Sequence, residues 1–244
     1  MKTFVLVHGA WHGAWAWSRV RPLLEAAGSR VFAPTLAGLG ERARRRDPVP
    51  TLDEHVEDVV ALLTNEDLNS VTLVGHSYGG MAITGAADGA RGRIASLIYL
   101  DAAVPRDGET MVTQKPDVKP AEAAATGEAL KGLAPDGVWM SVLPLDGYGY
   151  HGLSNADAQW ISTRLTPHPL QTWLEPILLR NGGCADLPRA YIHCNNPPLP
   201  MSSMPSHAAK LKIDPAWRYA EIPSGHGAML TSPEAVARAL LAFA

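Results

Sequence analysis

The stretch Val71-Thr72-Leu73-Val74-Gly75-His76-Ser77-Tyr78-Gly79-Gly80-Met81-Ala82-Ile83-Thr84 joins a short β-branched run to a helix-capable run through a turn rich in glycine. An apolar run of that length, closed by Gly and followed by small and apolar residues, reads as strand, sharp turn and helix. Gly75-His76-Ser77-Tyr78-Gly79 fits Gly-x-Ser-x-Gly, and the strand before it and the helix after it give the pattern its meaning. A serine on so strained a turn needs small neighbours two positions either side, where the backbone passes close by. Such a turn pushes the Ser77 hydroxyl into a cleft and leaves the Tyr78 amide unpaired at a helix N-terminus, where a developing oxyanion could accept it. The competing reading is a glycine-rich helix cap with no chemistry.

Outward from this turn the same alternation repeats. Thr3 to Val7 is a first strand ending at His8-Gly9, and Val20, Leu23, Leu24 and Ala27 mark a helix closed by Gly28. Arg30 to Pro34 is a second strand, and Thr51-Leu52-Asp53-Glu54 is a capping box opening a helix near Leu52. Ser96–Leu100, Ala190–Cys194 and Arg218–Ile222 complete six strands, and Glu234 to Phe243 is a closing amphipathic helix. Strands alternating with helices predict an α/β fold, a mainly parallel six-stranded sheet with helices on both faces. From about Pro105 to Asp186 strand patterning stops and Pro, Gly and Trp accumulate, which predicts a helical cap inserted between the fourth and fifth strands. Ligands of open α/β sheets bind at the C-terminal strand edge, so Trp11 after the first strand, and Trp139, Trp160, Trp173, Tyr148 and Tyr150 in the cap, are candidates to line a pocket.

The chain has 244 residues, 46% of them hydrophobic and 18% charged, and a formal net charge of -3. One domain of this length can bury a sizeable core. The charge balance argues against a nucleic-acid surface. No apolar run reaches the roughly 20 residues that span a bilayer, and no signal-peptide pattern precedes the first strand, so a soluble, cytoplasmic protein is expected. Cys184 and Cys194 are expected to be free thiols, and no metal or phosphate-binding motif is present, so neither metal nor cofactor is expected. Glu41-Arg42-Ala43-Arg44-Arg45-Arg46 is the one basic run and reads as a solvated loop.

A serine hydroxyl needs a base within hydrogen-bond reach. His226, in Ser224-Gly225-His226-Gly227 after the sixth strand, stands at the same sheet edge as Ser77. The remaining histidines read as structural, His193 among them because it lies inside a strand. His8-Gly9-Ala10-Trp11, Gly75-His76-Ser77-Tyr78-Gly79-Gly80, Leu100-Asp101-Ala102-Ala103-Val104-Pro105 and Gly225-His226 together resemble the α/β-hydrolase superfamily. More narrowly they resemble the small branch holding plant methyl esterases, bacterial carboxylesterases and hydroxynitrile lyases. That resemblance implies Ser77 as nucleophile, His226 as general base and acid, and the Ala10 and Tyr78 amides as an oxyanion hole.

The acid of the triad departs from that branch. Where most members carry an aspartate after the fifth strand, this chain reads Cys194-Asn195-Asn196-Pro197-Pro198, and the next carboxylate, Asp214, precedes the sixth strand on the wrong edge. Asn195 or Asn196 could orient a histidine but would support an imidazolium poorly. Asp101, ending the fourth strand beside the elbow, is the better candidate, although it could also cap the next turn or pair with Arg106. The expected activity is a serine carboxylesterase acting on a small, partly hydrophobic ester. Lyase or cofactor-free base chemistry and a non-catalytic small-molecule receptor are the alternatives. The lyases of the branch resemble this chain in the elbow, but they carry threonine at the position of Gly9 and lysine at that of Gly227.

Overall fold

The computed structural model describes residues 1–43, 48–199 and 203–244. Its strands are β1 (Thr3–Val7), β2 (Arg30–Phe32), β3 (Val71–His76), β4 (Ile94–Leu100), β5 (Trp139–Met140), β6 (His168–Pro169), β7 (Arg189–Cys194) and β8 (Arg218–Ile222). Its α-helices are α1 (Arg21–Ala26), α2 (Leu52–Asn65), α3 (Gly79–Gly89), α4 (Pro120–Gly132), α5 (Asn155–Ser162), α6 (Gln171–Leu174), α7 (Met204–Leu211), α8 (Ala228–Thr231) and α9 (Pro233–Phe243).

Six strands form one parallel sheet in the order β2-β1-β3-β4-β7-β8. Its central strands are buried along both faces, Phe4 to Val7 and Val71 to His76 without a break, because helices cover each side. The chain steps from β1 outward to β2 and then back past β1 to β3. Strand order therefore reverses between β1 and β3, and the crevice beyond their C-terminal ends lies where doubly wound sheets bind ligands. The loop after β1 carries Ala10 and Trp11, and the turn after β3 carries Ser77.

Local signals mostly hold. Thr51 Oγ1 accepts the Glu54 amide at 3.1 Å while the Glu54 carboxylate accepts the Thr51 amide at 2.8 Å, the capping box that starts α2. Such a cap contributes about 1 kcal/mol. β2 ends at Phe32, short of Pro34, because its pairing with β1 stops at Val5. Cys184 and Cys194 are unpaired thiols. The 105–186 segment carries α4, α5 and α6 as expected and adds an antiparallel two-residue ladder, Trp139 against Pro169 and Met140 against His168, which was too short for a pattern to reveal. Of the basic run, Arg44 to Arg46 lie outside the described residues, and Arg42 is tied down by Asp58 at 2.8 Å. Among the described residues no helix is long and apolar enough to cross a membrane.

Candidate active site

Ser77 sits at φ +54° between the end of β3 and the start of α3, a left-handed conformation that a non-glycine residue adopts only under constraint. Neighbouring backbone supplies that constraint. The Ser77 amide donates to Leu100 O at 3.3 Å, and the Ala103 amide donates to Ser77 O at 3.0 Å. A Cβ on Gly79 would stand 2.7 Å from Val7 O, and one on Gly75 would stand 2.8 Å from the Gly79 carbonyl carbon. Both glycines are thus required by close approach.

Asp101 also has positive φ, +43°, and its side chain is wholly buried just past β4. One carboxylate oxygen accepts His226 Nδ1–H at 2.6 Å, and the other accepts His193 Nδ1–H at 2.9 Å and the Cys194 amide at 3.3 Å. Burial alone would favour the neutral acid. The hydrogen bonds from His193 and His226 outweigh it and hold the carboxyl at about 2. Asp101 therefore does not pair with Arg106, which binds Glu109. Asn195 is turned away, its amide donating to Glu221 at 3.0 Å, and Asp214 caps the Ala216 amide. His226 keeps Nε2 for the cavity it shares with Ser77. Among the described residues no hydrogen bond joins it to Ser77, and such contacts often tighten only when substrate is bound.

The loop after β1 is pinned by Trp11, at φ +62°. Its amide donates to His168 Nδ1 at 3.2 Å, its indole N–H to Ser141 O at 3.1 Å, and its carbonyl accepts the Thr166 amide at 3.0 Å. Three cap segments thus fix the backbone next to Ala10. Among the described residues neither the Ala10 nor the Tyr78 amide donates to a backbone or side-chain acceptor, so both N–H groups are available beside Ser77.

A cavity of about 560 Å³ opens onto Ser77 and His226. Trp11, Tyr148, Trp173, Met111, Leu130 and Met204 give it an apolar wall, and an ion pair of Lys115 with Glu122 at 2.5 Å is also part of its lining. Trp11 packs edge-on against Tyr148 and Trp173, each at 5.5 Å. Three expected lining residues are elsewhere: Tyr150 donates its hydroxyl to His12 at 2.9 Å and lays its ring against Gly227. Trp160 lies between Trp15, at 5.5 Å, and the Arg164 guanidinium, at 4.2 Å, while Trp139 fills the space above Gly38. Trp139 and Trp160 thus pack against the shell and not along the cavity. His193 is the site neighbour that pattern reading passed over. Its signal was present: an imidazole in an otherwise apolar strand ending at the crevice.

Five other buried histidines surround the first loop, and geometry fixes their tautomers. His8 donates to Gly9 O and accepts the Leu36 amide; His12 donates to Ala10 O and accepts the Tyr150 hydroxyl. His55 donates to Ala37 O and accepts the Tyr78 hydroxyl; His168 donates to Thr172 and accepts the Trp11 amide. His76 donates from Nε2 to His226 O at 2.9 Å, and its buried Nδ1 is unpartnered. Burial pushes His8 down to about 3 and His12 and His55 to about 4, and holds His76 and His168 well below the usual imidazole range.

An elbow serine, a carboxylate-backed histidine and two free amides at the switch point of a parallel sheet define a class of hydrolytic α/β proteins. The chain belongs to the α/β-hydrolase family, whose model matches residues 4–239. It is 38% identical over 251 residues, all of both chains, to a carbendazim-hydrolyzing esterase of Nocardioides sp. (strain SG-4G). It is 45% identical over 106 residues, 42% of this chain and 40% of the other, to the α-hydroxynitrile lyase of Arabidopsis thaliana. An extracellular α/β-hydrolase from a Paenibacillus species superposes with a TM-score of 0.83 at 25% identity, covering 100% of this chain and 99% of that one.

Proposed function

We propose that the protein is a serine carboxylesterase acting on a small, partly hydrophobic ester. Ser77 Oγ attacks the ester carbonyl while His226 Nε2 takes its proton, and the Ala10 and Tyr78 amides receive the developing oxyanion. Asp101, accepting from Nδ1, holds the tautomer that leaves Nε2 basic and favours the imidazolium that forms. The imidazolium then protonates the leaving alcohol, and water activated by the same nitrogen releases the acid. The observation that carries this reading is the 2.6 Å contact between His226 and a buried, ionised Asp101, at a cavity shared with an elbow serine. The whole-length similarity to an esterase supports the same chemistry.

The partial similarity to a lyase makes cyanohydrin cleavage the second reading, and two glycines weigh against it. A Cβ at Gly227 would stand 2.1 Å from the Tyr150 ring, so lysine does not fit beside His226 as the cap is packed. A Cβ at Gly9 would stand 2.9 Å from Ser77 Cβ, which leaves no room for threonine. A fluorophosphonate probe and a panel of aryl and methyl esters test the proposal. Labelling and ester turnover, both lost in Ser77→Ala, are expected. Cyanide release without ester hydrolysis would favour the lyase, and an unlabelled, inactive protein that still binds esters would favour a receptor.

A further inference from the structure

We propose that His193 is a positioning residue of the catalytic acid: its ring, donating from Nδ1 to the carboxylate oxygen opposite His226, holds Asp101 aimed at His226. This rests on the esterase reading above. An ionised carboxylate only accepts hydrogen bonds, so both imidazoles facing Asp101 must present Nδ1–H, and His193 keeps its lone pair on Nε2. Asp101 is wholly buried, and burial drives a carboxyl toward its neutral form. A protonated Asp101 could not stabilise the His226 imidazolium. Among the described residues, the oxygen opposite His226 accepts besides His193 only the Cys194 amide at 3.3 Å, a weak substitute.

The groups around His193 leave its Nδ1–H to Asp101. Its register partner on β8, Glu221, is engaged by Lys212 at 2.9 Å, the Tyr219 hydroxyl at 3.0 Å and the Asn195 amide at 3.0 Å. On α7, packed on the same strand, His207 is held to Gln114.

The test compares His193→Leu, which removes the donor, with His193→Gln, which restores a donor that does not titrate. Losing a hydrogen bond to a buried carboxylate predicts a fall in kcat of roughly tenfold to a hundredfold for His193→Leu at pH 8, with KM nearly unmoved. His193→Gln is expected to recover most of that loss. A wild-type kcat in His193→Leu, or a His193→Gln as slow as His193→Leu, overturns the proposal. A second readout needs no catalysis. In Ser77→Ala protein the downfield Nδ1–H resonance of His226, which reports its hydrogen bond to Asp101, should move upfield in the Ser77→Ala, His193→Leu double variant and return most of the way in Ser77→Ala, His193→Gln. An unmoved resonance overturns the proposal even if Ser77 is the nucleophile, and absence of labelling at Ser77 with this response intact breaks the esterase reading alone.

Discussion

The molecule keeps two populations of buried histidine within one sheet edge, and they differ in a single respect. Among the described residues, His8, His12, His55, His76 and His168, around the first loop, have no carboxylate hydrogen-bonded to the ring. His193 and His226, at the far side of the elbow, share Asp101. Without a hydrogen-bonded anion, burial keeps imidazole neutral, and four of these five rings are connectors that donate from one nitrogen and accept at the other. With one, the same side chain can carry positive charge inside the protein, which is what a general base must do in the transition state.

The first way to break that comparison is acid. Each ring of the first group is protonated when unfolded below about pH 6.5 but resists protonation in the folded state, so stability is complete above that pH and lost as pH falls. The slope is about 1.4 kcal/mol per pH unit for each ring, or about 7 kcal/mol per unit for all five together. Against a total stability of roughly 5–15 kcal/mol, chemical denaturation should show a plateau above pH 7 and a steep collapse between about pH 4 and 5.5. A protein equally stable at pH 5 and pH 8 would mean that these rings bind protons when folded. Second in size is Asp101→Asn. An amide can donate to His226 Nδ1 and so favour the wrong tautomer, and it cannot support the imidazolium; kcat should fall by about ten-thousand-fold with the fold intact by circular dichroism. Near-native turnover would move the acid elsewhere, and Asn196→Ala would then be the variant to examine.

What could be read in advance follows the range of the interactions involved. Gly75, Ser77 and Gly79 were legible because the elbow is made by consecutive residues whose backbone demands leave a fixed spacing. Asp101 was legible from its place at the end of β4, one strand from Ser77. His193 was not, because its role comes from the lateral pairing of β7 with β4, which joins positions 92 residues apart and leaves no periodic trace. Trp139 and Trp160 failed for a related reason. The cap is held by isolated contacts such as the Trp11 indole on Ser141 O and the Leu52 amide on Glu175, and no helical or strand period tells which face of such a segment turns inward.

A smaller effect sharpens the first half of the comparison. Thr172 Oγ1 accepts from His168 Nε2 and donates to Pro169 O at 2.9 Å. Thr172→Val keeps the shape and strands the imidazole N–H in an apolar pocket, which should cost about 1–3 kcal/mol in urea unfolding. Because His168 is a connector, kcat should change less than twofold at pH 8; a large loss of turnover would give this ring a role in the chemistry.

The smallest effect carries the same distinction over to the tryptophans, where position decides between wall and glue. Trp173 lines the cavity at Ser77, whereas Trp160 is half-buried against Trp15 and Arg164. Removing Trp173 enlarges the cavity, so Trp173→Ala should raise KM for aryl esters several-fold. Trp160→Ala removes an edge-on aromatic pair and one cation–π contact, together worth about 1–2 kcal/mol of stability, and should leave KM within twofold. A KM that rises as much in Trp160→Ala as in Trp173→Ala would mean that the cap reshapes the cavity through its outer face, and that the wall around Ser77 is set by the whole cap and not by the side chains that touch the substrate.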